Sequence, residues 1–295
     1  MYEFKKNKVS VKKIATFLKC TYVGKDFNIT SVSSLNNIKN NSILFYSDFH
    51  SQNFQIKDTI DYDLKKLNKF KNIVIITTKE FKTQIKIPVI ISKNPRLDFA
   101  RVMMEFFSQD EFKPGIHKTA TIEKKSIIGK NVHIGSNCYI GNNVKIGNNV
   151  KILSNTSVFG KTEIGENSVI LSNSTLGSEG FGFIFDGKNS FHLPHHGSLI
   201  IGKNVWIGSN STIDKSALDE TIIEDDVKID TLVNVGHNSR IGRSTWISAG
   251  SIICGRAKIG KNCLIAPNCV IDVGVKIDDH CLVGTSTLVR KNFKK

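Results

Sequence analysis

Residues 128–146 read IGKNVHIGSNCYIGNNVKI. Ile128, Ile134, Ile140 and Ile146 recur every six positions. A small or β-branched residue stands two places before each (Ser126, Val132, Cys138, Val144), and a glycine follows each (Gly129, Gly135, Gly141, Gly147). Six is neither a helical period nor the simple two-residue period of a strand. It fits very short strands joined by tight turns, with the aliphatic residue inside and Gly or Asn at the corner where φ > 0 is easiest. Three hexads close a triangular coil of eighteen residues. Successive coils then stack about 4.8 Å apart through parallel backbone hydrogen bonds.

Outward from this stretch the register runs from Ile116 to Leu176 and resumes at Ile201, Ile207 and Ile213. After a four-residue insertion around Lys215-Ser216-Ala217-Leu218 it continues from Ile223 to Val289. About twenty-six hexads give eight to nine coils. Residues 178–199 carry no repeat and are expected to leave the coil as a loop. They hold Phe181, Phe183, His192, His195 and His196. Loops on a rigid scaffold are where function tends to sit.

Residues 1–115 follow another pattern. Val11 to Leu18 reads as a short amphipathic helix. Ile43 to Tyr46, Ile73 to Ile76 and Val89 to Ile91 read as strands. Asn94-Pro95 is a helix start, with an Asn cap and Pro at the first position. The following helix is expected to turn Phe99, Val102, Met103 and Phe106 to one apolar face. The expected organisation is a small N-terminal α/β domain, 1–115, followed by a parallel β-helix of hexapeptide repeats, 116–295.

Composition narrows the function classes. The chain has 295 residues and is 40% hydrophobic, enough for two cored domains. Its longest aliphatic run, Ile73 to Ile76, is far below the ~20 apolar residues of a membrane helix, so no membrane segment is expected. The start, MYEFKKNKVSVKK, shows no apolar stretch after its lysines, and a cytoplasmic location is the default. The six cysteines include no CxxC pair, and four (Cys138, Cys263, Cys269, Cys281) occupy the small-residue slot, so buried reduced thiols are expected. The net charge of +15 raises nucleic acid as a partner. The lysines are scattered and no aromatic-basic recognition motif occurs, so an acidic protein or substrate phosphates suit the charge equally and nucleic acid is not expected.

Among the histidines of the regular coils, His117, His133 and His280 read as turn residues on the surface. His237, in Val235-Gly-His-Asn238, differs. One coil up from Val235 is Ile253, so Gly255 lies above His237. A glycine there removes side-chain bulk and bares a backbone N–H near the imidazole. A base beside a free N–H is what acyl transfer needs. The cluster His192, His195, His196 raises metal ligation, but no acidic or Cys partner is apparent in the sequence, and no metal is expected.

Several stretches together resemble the UDP-3-O-acylglucosamine N-acyltransferases of lipid A synthesis. They are Gly177-Ser-Glu-Gly-Phe-Gly-Phe183, Ile207-Gly-Ser-Asn-Ser-Thr-Ile-Asp214, Ala217-Leu-Asp219, Val227-Lys-Ile-Asp230 and Val235-Gly-His-Asn-Ser-Arg-Ile-Gly242. Asn94-Pro-Arg-Leu-Asp-Phe-Ala100 and Gly115-Ile-His-Lys-Thr-Ala120 match in turn. The resemblance implies a left-handed coil, a homotrimer with sites between subunits, and transfer of a (3-hydroxy)acyl group to the 2-amine of a UDP-linked glucosamine. It implies His237 as general base and the Gly255 N–H as oxyanion donor. Substrate contacts would come from Asp230, Asn234, Phe181, Phe183 and His195, with uracil held in the first domain by Phe45 and Asp48. The donor would be acyl carrier protein, with no bound cofactor.

Some positions depart from the family pattern. The family's second active-site histidine falls on Gly274, its second uracil-binding aromatic on Ser51, and its loop glutamine on His195. The terminal Val283-Gly-Thr-Ser-Thr-Leu-Val289 is similar to CoA-dependent sugar N-acetyltransferases. The alternative function is therefore a CoA-dependent N-acyltransferase acting on a nucleotide-linked amino sugar for surface polysaccharide.

Overall fold

The computed structural model describes residues 8–46, 64–81, 86–107 and 112–293. The chain divides into two compact units, Met1–Glu111 and Phe112–Lys295.

In the first unit a five-stranded sheet runs in the order Thr21–Val23, Val89–Ile91, Ile73–Thr77, Ser42–Phe45, Ser31–Val32. The first pair is antiparallel and the others are parallel. The three sequence-expected strands are its centre, and Ile73, Val74, Ile75 and Ile76 are all buried, as a strand covered on both faces requires. The helix Val11–Leu18 is capped by Ser10, whose hydroxyl accepts from Lys13 N, and it buries Val11, Ile14, Ala15 and Leu18. The helix Pro95–Val102 is capped by Asn94, which accepts from Leu97 N at 3.1 Å. Its expected apolar face is only partly right. The helix widens into a π-turn at Met103–Phe107, so Met103 is exposed and Phe107 takes its place in the core. A π-turn carries an extra residue and rotates everything after it around the axis.

The second unit is a parallel β-helix. Its two-residue strands stack into three parallel sheets of eight, nine and nine strands. The register is eighteen residues, as in Ile134 beside Ile152 and Val235 beside Ile253. It lengthens to thirty-seven where Ile164 meets Ile201, and to twenty-two where Ile201 meets Ile223. These are the two interruptions of the repeat. The aliphatic positions from Ile134 to Val283 form one continuous buried column. Each buried Ile or Val contributes about 1.5–3 kcal/mol relative to exposure. Ile116, in the first coil, stays half exposed (51%).

Corner chemistry is finer than the sequence reading. The left-handed residues are mostly asparagines, among them Asn131, Asn137, Asn149, Asn155 and Asn167. Several form amide ladders along the stack, as in Asn131 Nδ2 to Asn149 Oδ1 at 3.3 Å and Asn149 to Asn167 at 3.1 Å. The glycines after the aliphatic residue mostly have ordinary φ. They are needed because the next coil passes too close: a Cβ at Gly135 would sit 2.6 Å from Ser154 N. The small-residue slot also has a polar use. Ser168, Ser174, Ser211, Thr245 and Ser251 are buried, and each hydroxyl donates to a corner carbonyl of the next coil, as in Ser174 Oγ to Gly208 O at 3.0 Å. Cys138, Cys263, Cys269 and Cys281 fill the same slot as buried free thiols.

The excursion leaves the coil after the strand Thr175–Ser178 and rejoins it at Ser198–Ile201. It is not structureless. Phe183–Phe185 pairs antiparallel with Ser190–His192, and Leu193 N donates to Gly182 O at 2.8 Å. Its return is tied down by His196 N to Ala217 O at 2.8 Å, so the four-residue insertion supports the base of the longer loop.

Candidate active site

His237 sits at the corner between the strands Asn234–Val235 and Arg240–Ile241, half buried. Asn238 takes the left-handed position after it (φ 59°). The Asn238 amide is fixed on both sides: its Nδ2 donates to Ser216 Oγ, and its Oδ1 accepts from Ala217 N at 3.2 Å. That orientation sets Oδ1 2.9 Å from His237 Nδ1. Since the amide oxygen only accepts, this contact assigns a proton to Nδ1, and in the neutral ring the lone pair is then on Nε2.

Nε2 faces Gly255. A Cβ at Gly255 would stand 3.0 Å from it, so glycine alone leaves the ring its room. The carbonyls on either side of this corner are used, His237 O by Arg256 N and Gly255 O by Gly274 N. The Gly255 N–H makes no hydrogen bond among the described residues. The stacking arithmetic from Val235 to Ile253 therefore brings base and bare N–H together.

The other expected site residues are distributed as follows. Asp230 is exposed and caps its own turn through Thr231 N at 2.7 Å. Asn234 is exposed on the strand before the corner and donates to Thr212 Oγ1 at 2.6 Å. Neither bond is to His237. Phe181 and Phe183 lie on the excursion, 85% and 53% exposed, with ring centroids 5.2 Å apart. His195 is 2% exposed and turns its ring edge-on to His237, centroids 5.1 Å apart. In the first unit Phe45 is half buried, its ring 4.9 Å from Phe99. Asp48 and Ser51 lie outside the described residues. The open cleft in this unit is elsewhere, lined by Cys20, Thr78, Ser92, Asp98 and Arg101 among others. Gly274 is left-handed, with open space around its Cα.

Two carboxylates were missed. Asp214 stands where most hexads place glycine, in the strand Thr212–Asp214. Ser178 donates to its Oδ1 at 2.8 Å. Burial pushes its carboxyl above the usual range, while the Ser178 bond and the charge of His237 pull it back. The twenty-two-residue register puts it beneath Gly236, so stacking arithmetic with the insertion included would have found it. Gly180 covers the pair closely: a Cβ there would meet His237 Cδ2 at 2.8 Å and Asp214 Oδ2 at 3.2 Å.

The second is Glu179. Its Oε2 lies 3.1 Å from His192 Nε2, and Lys215 Nζ lies 3.7 Å from its Oε1. Glu179, His192 and His195 offer donor atoms that all lie within 4.8 Å of one another. Burial first, then the neighbouring His237, hold the His195 imidazole below the ordinary histidine range. Neither His195 nitrogen has a hydrogen-bond partner among the described residues.

Comparison with known proteins finds relatives of the coil. Three family models match parts of the coil: the GMPPB C-terminal domain over residues 113–180, bacterial transferase hexapeptide (six repeats) over 238–272, and the hexapeptide repeat of succinyl-transferase over 198–231 and 256–289. A UDP-3-O-acylglucosamine N-acyltransferase of Coxiella burnetii is 43% identical over 131 residues, 44% of this chain and 38% of the relative. UDP-3-O-acylglucosamine N-acyltransferase 2 of Legionella pneumophila is 44% identical over 89 residues, 30% of this chain and 26% of the relative. The match thus spans about a quarter to two-fifths of those relatives' lengths. Among solved structures, a UDP-N-acetylglucosamine acyltransferase superposes with TM-score 0.56 at 28% identity, covering 60% of this chain and 67% of that one. LpxA from Acinetobacter baumannii gives 0.55 at 26%, with the same coverage. Among the described residues no helix is long and apolar enough to cross a membrane. The hexad coil and these matched segments make the chain similar, over part of its length, to hexapeptide-repeat transferases and among them to UDP-3-O-acylglucosamine N-acyltransferases.

Proposed function

We propose that the chain is an N-acyltransferase that moves a (3-hydroxy)acyl group from acyl carrier protein to the 2-amine of UDP-3-O-acylglucosamine. The carrying observation is the His237 Nε2 lone pair held against the bare corner at Gly255. The amine nitrogen attacks the thioester carbonyl and its proton passes to Nε2. The carbonyl oxygen gains negative charge and the Gly255 N–H donates to it, already in place on a rigid coil. Collapse breaks the C–S bond, and the imidazolium returns its proton to the leaving thiolate. The products are an amide and a free thiol. The Asp214 carboxyl, which shares the space under Gly180 with the His237 ring, is the group placed to steady the imidazolium between these steps.

Substrate recognition is assigned on the same reading. The exposed rings of Phe181 and Phe183 offer an apolar surface to the acyl chain. Phe45 and Asp48 serve the uracil. Asp230 and Asn234 meet substrate in a homotrimer, and the exposed Trp206, Trp246 and Leu282, which lie along one sheet, suit an interface between copies. Arg240, on the strand after His237, stacks in register with Lys258 and Lys276 of the next two coils; Arg240 pairs with Glu224, and the two exposed lysines suit an acidic carrier protein.

The test is donor consumption. Purified protein is incubated with UDP-linked amino sugar and either 3-hydroxyacyl carrier protein or acetyl-CoA. Amide and free thiol form with the carrier protein. Turnover with acetyl-CoA instead assigns the surface-polysaccharide alternative, and turnover with neither sinks acyl transfer. Gly255→Ala is expected to lower kcat by about 10–100-fold with little change in thermal stability. The added methyl crowds Nε2 at 3.0 Å and tilts the ring from the reacting nitrogen, and small misplacements of this size cost up to about 10²-fold. An unchanged kcat would place the chemistry elsewhere.

A further inference from the structure

The excursion holds two side chains, Glu179 and His192, that the proposed acyl transfer does not use. Glu179 stands at its exit from the coil, His192 on the returning strand of its hairpin, and His195 just before its re-entry. The exit of the loop thus converges with two points of its returning arm.

His195 is the key to the cluster. It is 2% exposed, and among the described residues neither ring nitrogen has a hydrogen-bond partner. A buried polar group without a partner forfeits its hydration with nothing in return. Room has nonetheless been made for this ring: a Cβ at Gly182 would stand 2.7 Å from its Cε1. The ring lies nearly parallel to that of His192 at 28°, centroids 6.4 Å apart, so both edges face the same space. Lys215 takes one oxygen of Glu179 and leaves Oε2 on the His192 side.

We infer that Glu179, His192 and His195 form a binding site for a divalent transition ion of the zinc class, which clasps the excursion over the coil. Imidazole nitrogens and one carboxylate are the donor set such ions take. Zinc binds these donors at about 2.0–2.2 Å, which puts neighbouring tetrahedral ligands about 3.3 Å apart. The Glu179–His192 separation of 3.1 Å already has that edge, and the full set, within 4.8 Å, closes by a modest turn of the side chains. The fourth position is left to water. The ion satisfies the orphaned nitrogen of His195 and joins exit, hairpin and re-entry in one point. The inference does not depend on the acyl-transfer reading, because its test measures binding alone.

The chain, purified without a histidine tag and stripped with chelator, is titrated with cobalt(II), followed by zinc. One cobalt per chain, with the visible bands of a tetrahedral ion displaced by zinc, is expected. Glu179→Gln and His192→Ala each weaken binding about a hundredfold or more, since even changes behind a ligand cost about 10–100-fold. His196→Ala leaves it unchanged. Zinc also slows tryptic cleavage after the exposed Lys188, at the hairpin tip, by about tenfold or more in the wild type but not in Glu179→Gln, because it suppresses local opening. Absence of tetrahedral bands in the wild type, equal affinity in Glu179→Gln and His192→Ala, or cleavage indifferent to zinc overturns the site. Both variants are checked for an unchanged melting curve in the stripped state, so a lost site is not mistaken for a lost fold.

Discussion

His237→Ala is expected to cut kcat/KM by about 10³–10⁴-fold while leaving the coil intact and its elution on sizing unchanged. General-base catalysis supplies about 10²–10⁴ in rate, and removal of this imidazole also takes away the group that reprotonates the leaving thiolate. The loss should lie in kcat, because the proton moves only on the way to the transition state. The fold should not notice. His237 is a half-buried corner residue whose ring hydrogen-bonds Asn238 and lies edge-on to His195, outside the buried aliphatic column, and its backbone bond with Arg256 survives the change. Steady-state kinetics, a melting curve and a sizing measurement on the same preparation check all three parts. Asn238→Ala is the informative companion. It leaves the imidazole but removes the oxygen that holds the proton on Nδ1, so its defect should be smaller, about 10–100-fold by analogy with other misplacements of a catalytic group. Full activity in His237→Ala would remove the base from the mechanism.

The corner was legible because it is periodic. Eighteen-residue arithmetic needs no knowledge of loops, and it set Gly255 over His237, as the pairing of Val235 with Ile253 bears out. The hexad likewise gave the buried column and the cysteine slot. Where periodicity stops, so did the reading. Glu179 is sixteen places from His195 in the chain, and only the hairpin at Phe183–Phe185 and Ser190–His192 folds them together. The pairing of that hairpin depends on a turn at Asp186–Asn189, too weak a signal beside the repeat around it. Asp214 was visible in principle, as a carboxylate standing where the hexad asks for glycine. Met103 was misplaced for a different reason: a π-turn has no distinct sequence pattern, and one extra residue is enough to rotate a helical face.

The glycines of the repeat separate two physical explanations that a sequence cannot. On the turn explanation, glycine after the aliphatic residue supplies positive φ, and asparagine should replace it freely. On the packing explanation, glycine is there because the next coil leaves no space for a Cβ. Gly208 decides between them. Its φ is not in the left-handed region, yet a Cβ would fall 2.3 Å from the carbonyl carbon of Asp230 and 2.5 Å from both its oxygen and Thr231 N. Carbon atoms pack at about 3.5–4.0 Å, and all three obstacles are backbone, so no side chain can swing aside. Relief requires the two coils to part, which breaks the Gly208 N to Ile229 O bond of 2.8 Å. Overpacking costs about 1–3 kcal/mol and the lost hydrogen bond about 0.5–1.5 more. Gly208→Ala should therefore destabilise the coil by about 2–4 kcal/mol, read as a shift of the denaturant midpoint at fixed protein concentration. Gly208→Asn should be no better. Gly284→Ala is the control, since a Cβ there meets only Thr287 Oγ1 at 3.7 Å and φ is ordinary. It should be neutral or gain up to about 1 kcal/mol by restricting the unfolded chain. A stable Gly208→Asn would restore the turn explanation and with it the first reading of the hexad.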